Sequence, residues 1–127
     1  YLFWEAEGSL PVPDDGFVVA SGDVDAFLGR KLAFLGLSDT EAAAFIEYWS
    51  LRMKEHPYCF VRFAGPEYER AVRLSVSPEP DTVIRVFMVF RPLESPVSVC
   101  EQVLQAAPAR EGFVVVEWGG AELDAKR

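Results

Sequence analysis

Thr82-Val83-Ile84-Arg85-Val86-Phe87-Met88-Val89-Phe90-Arg91 is the longest run with a two-residue period in this chain. Ile84, Val86, Met88 and Phe90 alternate along one side of an extended chain, and the other side is mixed, with Arg85, Phe87 and Arg91. That pattern predicts a central β-strand with one side committed to the core. Working outward, Tyr58–Ala64 and Val72–Ser77 read as strands before it, and Val97–Leu104 and Gly112–Gly119 as strands after it. Gly65-Pro66, Pro78-Glu79-Pro80-Asp81, Pro92 to Pro96 and Ala106 to Glu111 separate them.

Upstream the period changes. Val24, Phe27, Leu28, Lys31, Leu32 and Leu35 recur at helical spacing, with Gly36 as the stop. Ser38-Asp39-Thr40-Glu41 is a capping box that opens a second helix bearing Ala42, Phe45, Ile46, Trp49 and Met53 on one face. His56-Pro57 ends it, because the residue before proline disfavours the α region. Tyr1–Ala6 and Phe17–Ala20 add strands before the helices, flanking a stretch rich in proline and aspartate. The expected fold is therefore α+β: a mainly antiparallel sheet of about five to seven strands, with two consecutive helices packed on one face. Residues 58 to 119 are expected to run as a meander whose other side stays open.

The length of 127 residues and the 50% hydrophobic content fit a single domain spanning 1–127. Twelve basic residues against twenty acidic ones give a net charge of −8, which opposes nucleic-acid binding. No apolar run approaches the roughly 20 residues of a membrane span, so membrane insertion is not expected. Because the chain opens on Tyr1 inside a strand-like run, it reads as the C-terminal module of a longer protein, able to pack against an upstream segment.

Several groupings bear on function. On the non-core side of the strands, Tyr58, Arg62, Arg73 and Arg85 gather guanidinium groups and an aromatic ring on one face of an acidic protein. Such a face suits a carboxylate, phosphate or acidic sugar. The alternative is neutralisation by Glu67, Glu69 and Glu101 across a solvated face. Glu5 and Glu117 sit beside Trp4 and Trp118 in the two end strands, and a carboxylate pair with sugar-stacking tryptophans is glycosidase hardware. The competing reading places both rings in the core, with both glutamates capping or bridging strand edges.

Other candidates fare less well. His56 and Cys59 are three residues apart, but Cys59 shares its side with Val61 and Phe63, away from a dyad. Cys59 and Cys100 have opposite surroundings, which argues for separate thiols. Asp14, Asp15, Asp23 and Asp25 lack the register of a calcium loop, and no CxxC or histidine pair suggests zinc, so no metal or other cofactor is expected.

Tyr1-Leu2-Phe3-Trp4-Glu5, Gly16-Phe17-Val18-Val19, Phe45-Ile46-Glu47-Tyr48-Trp49, Pro57-Tyr58, Arg85-Val86-Phe87-Met88-Val89 and Gly112-Phe113 to Gly120 together resemble a family of uncharacterised bacterial proteins. The similarity covers essentially the whole chain. The resemblance implies a secreted or cell-envelope setting, in which the module follows a β-rich N-terminal segment. It brings no activity, cofactor or catalytic residue, and Cys59 and Cys100 lie outside its pattern. The expected function is a non-enzymatic extracytoplasmic binding or protein-interaction module, its partner an unknown protein or acidic ligand, with the Glu5–Glu117 glycan hydrolase as the alternative.

Overall fold

A computed structural model describes residues 14–64 and 77–124 in full and residues 2–5 by their backbone. The chain runs β1 (Leu2–Glu5), β2 (Phe17–Ala20), α1 (Val24–Phe34), α2 (Asp39–Lys54), β3 (Tyr58–Ala64), β4 (Thr82–Leu93) and β5 (Val114–Glu122). The expected strand over Val72–Ser77 lies outside the described residues for all but its last position. Both helices form where the apolar period places them. Ser38 caps α2 through the Glu41 N–H, and Glu41 returns the bond by accepting from the Ser38 N–H at 2.8 Å.

The α+β class and the two consecutive helices on one sheet face stand. Val24, Phe27, Leu28 and Leu32 of α1 pack with Phe45, Trp49 and Met53 of α2 over Val19, Val61, Ile84, Val86, Met88, Phe90 and Trp118. Trp118 meets Phe45 with ring centroids 5.3 Å apart, and Trp49 meets Phe90 at 5.9 Å. Trp49 reaches the sheet because β5 carries Gly120 beneath it. A Cβ there would come within 2.6 Å of the Met88 carbonyl oxygen and 3.0 Å of Trp49 Cζ2.

The sheet order is β1-β5-β4-β3-β2, and the sheet is mixed rather than mainly antiparallel. β2, β3 and β4 pair antiparallel, whereas β4 with β5 and β5 with β1 are parallel. A parallel neighbour requires a long crossover, which residues 94–113 provide without a helix. The meander expected after β4 is thereby replaced. Val97–Leu104, expected as a strand, is irregular and makes one parallel bridge, Glu101 to Gly16. Pro92 sits inside β4 at no cost to the ladder. Alternation turns its missing N–H away from β3, beyond the last β4–β5 pair at Phe90 and Glu122.

The second sheet face is closed as well. Phe60, Phe87, Val89 and Val115 are buried there beside Arg62 and Glu117, which overturns the expectation of an open guanidinium-bearing side. The run Val86-Phe87-Met88-Val89-Phe90 is apolar at every position, the mark of a strand covered on both faces.

Candidate functional site

Arg62 on β3 stands in register with Val89, and Arg85 lies four positions back along β4 on the same face, roughly 13 Å away. Each is tied to a carboxylate. Arg85 Nε donates to Glu117 Oε1 at 2.7 Å, directly across the parallel β4–β5 ladder, with both side chains 8% exposed. Arg62 Nε donates to Asp15 Oδ1 at 3.2 Å; the arginine is buried, the aspartate partly exposed. Among the described residues, the acids that meet Arg62 and Arg85 are Asp15 and Glu117. Glu67 and Glu69 lie outside the described residues, and Glu101 is exposed at its bridge with Gly16.

Both arginines line one cleft of about 370 Å³, between the first residues of β4 and a strap formed by residues 102–108. Val83 and Val103 stand at its rim, both exposed, with Phe63 and Leu104 further in. The strap is held at both ends. At one end the Gly16 N–H donates to the Cys100 carbonyl at 2.9 Å and the Gln102 N–H to the Gly16 carbonyl at 3.1 Å. At the other, the Ala107 N–H donates to the Phe34 carbonyl at 3.2 Å. Arg110 anchors that end further, donating to the Gly36 carbonyl at 2.8 Å and to the carboxylate of the capping-box Glu41.

Gln102 acts as a proxy strand residue. Its Oε1 accepts from the Phe63 N–H at 2.9 Å and its Nε2 donates to the Phe63 carbonyl at 2.6 Å, the two bonds a backbone neighbour would make. The β2–β3 register assigns that place to Asp15, which instead turns to Arg62. Gln102 was not a candidate in the sequence, where it looks like one polar residue of an alternating run, and Asp15 was weighed there only as a calcium ligand.

The remaining candidates are dispersed. Tyr58 lies at the other end of β3, opposite Leu93, outside the cleft. Arg73 lies outside the described residues. In the backbone register Glu5 pairs with Gly120, three positions beyond Glu117, whose own partner in β1 is Leu2. Trp118 is a core residue on the helix side while Glu117 faces the other way, the alternation expected of a Trp-Glu strand. Cys59 and Cys100 are separate thiols, one buried and one exposed. Burial first, and the Glu122 charge second, push the Cys59 thiol up to about 11. Among the described residues no group of three or more His, Cys, Asp or Glu side chains is placed to hold a metal ion. Nor, among them, is any helix long and apolar enough to cross a membrane.

Compared with models of protein families, with curated proteins and with solved structures, the chain matches none.

Proposed function

We propose that this chain is a non-enzymatic binding or protein-interaction module of the cell exterior, and that its contact site is the cleft beneath the 102–108 strap. The observation that carries this reading is the convergence of Arg62 and Arg85, from two different strands, on one cleft with an apolar rim. Its volume falls within the roughly 300–1,000 Å³ of ligand sites. A partner that offers an acidic group beside an apolar one suits it: the anion competes with Asp15 for the Arg62 guanidinium while the apolar part rests on Val83 and Val103.

Among the described residues, two groups weighed for catalysis are otherwise engaged, which supports the non-enzymatic part. Glu117 is buried against Arg85, and Cys59 is a buried, weakly acidic thiol. The extracytoplasmic setting rests on the family resemblance and is checked by fractionating cells that produce the full-length protein.

Calorimetric titration with acidic peptides and acidic oligosaccharides tests the site, comparing the wild type with Arg62→Gln and with Val103→Asp at the rim. Weaker binding in both variants is the expected result. Equal isotherms for all three proteins would remove the cleft as the contact site.

A further inference from the structure

Among the described residues the sheet ends at β2, and along the outer edge of that strand runs a second groove, about 490 Å³, between α1 and residues 97–101. The Ser21 N–H bonds the Pro57 carbonyl, and hydrogen-bonded pairs recur at every second residue of an antiparallel ladder. Val19 and Phe17 therefore direct their amides to β3, and Val18 and Ala20 direct theirs outward. This edge already accepts a strand-like neighbour one step away, where Gly16 bonds Cys100 and Gln102 in the parallel bridge to Glu101. Among the described residues no strand continues that pairing at Val18.

The groove is also charged in a particular sense. Arg30 and Lys31 line it from α1, and among the described residues neither is in an ion pair. Lys31 Nζ is held 4.7 Å from the centre of the Phe17 ring, at the strand itself. Glu101 is the one carboxylate among the described lining residues. In a chain of net charge −8, two such cations beside the outer edge of β2 form a local reversal of sign.

We infer that the outer edge of β2 is a docking site for an extended acidic segment of a partner protein. The segment adds to the sheet as a further strand, bonded to the Val18 amide and carbonyl, with its carboxylates toward Arg30 and Lys31. The site is separate from the strap cleft and stands or falls independently of it.

The probe is a capped hexapeptide of alternating valine and glutamate, titrated into isotopically labelled protein and followed by NMR. Shifts and amide-exchange protection are expected at Val18 and Ala20, with binding that weakens as salt rises. Val18→Pro removes the outward N–H while leaving the bonds to β3 intact, and is expected to weaken binding about tenfold. Arg30→Glu changes an exposed residue and provides the same test if the proline variant does not fold. Unchanged affinity in the folded variants, or equal binding of a glutamine-for-glutamate probe, overturns the inference. So do shifts confined to residues 102–108, or a dimer of this chain that Val18→Pro abolishes.

Discussion

Arg85 and Glu117 face each other directly across two parallel strands, 2.7 Å apart and each 8% exposed, on the sheet face that the helices leave to other cover. A charge pair so placed is held less by net attraction than by the penalty for leaving either member alone. Arg85→Met or Glu117→Leu alone is expected to destabilise the fold by about 3–5 kcal/mol, and the double replacement to recover most of that loss. Urea unfolding of the four proteins in a double-mutant cycle measures it.

Gln102 substitutes its side-chain amide for a missing strand neighbour of Phe63. Gln102→Ala leaves the buried Phe63 N–H and carbonyl without that partner and is expected to cost about 1–3 kcal/mol, with faster hydrogen exchange at the Phe63 amide. Gln102→Glu is expected to be worse at neutral pH, since a carboxylate has no proton to donate to the carbonyl. Protonation should return part of the loss, so the gap between Gln102→Glu and wild type narrows on acidification.

Gly120 allows Trp49 to lie against the sheet. Gly120→Ala forces a methyl against the Met88 carbonyl and the indole and is expected to lower stability by about 1–3 kcal/mol. A fall in the thermal midpoint with a changed tryptophan emission is the signature to look for.

Among the described residues, two carboxylates, Asp25 and Glu41, contribute to stability against acid. The hydrogen bonds from Lys54 and Ser50 hold Asp25 below its ordinary value of 3.8. For Glu41, burial pushes upward, but the hydrogen bond from Arg110, with those from Ser38, outweighs it and leaves the group below 4.5. A carboxylate depressed in the folded state contributes stability above its unfolded pKa and loses it as pH falls through the folded one. The thermal midpoint is therefore expected to hold at neutral pH and to fall on acidification below about 4.5. In Asp25→Asn and Glu41→Gln that acid slope should be shallower; Asp25 is largely exposed, so its share is the smaller.

The two thiols should differ sharply in reactivity. With Cys59 buried and its thiol raised to about 11, native protein at mild alkaline pH is expected to react rapidly with a thiol reagent at Cys100 alone. Denaturant should expose the second thiol, and Cys100→Ser should abolish the rapid phase.

The elements themselves were legible because their chemistry is local. The capping box at Ser38 and Glu41 marks the start of α2, and the alternation in Tyr58–Ala64 matches β3 end to end. The opposite placement of Trp118 and Glu117 follows from strand geometry alone. Val97–Leu104 shows where this reasoning stops. It too reads as alternating, yet it makes a single bridge, to Gly16, because alternation records a preference for extended backbone and says nothing of which segments will pair.

The candidate site divides along the same line. That Arg62 and Arg85 share a face could be read from their parity in two strands; that Asp15 and Glu117 would meet them could not. The pattern of residues located both helices and strands β3 and β4 and their core-facing sides, since those depend on neighbours within a few residues. The parallel pairing of β5 with β4, the strap across the sheet and the ion partners of the arginines became visible in the folded chain alone. Those depend on closing long loops and on burying both faces of one layer, and such costs are settled by the whole chain at once.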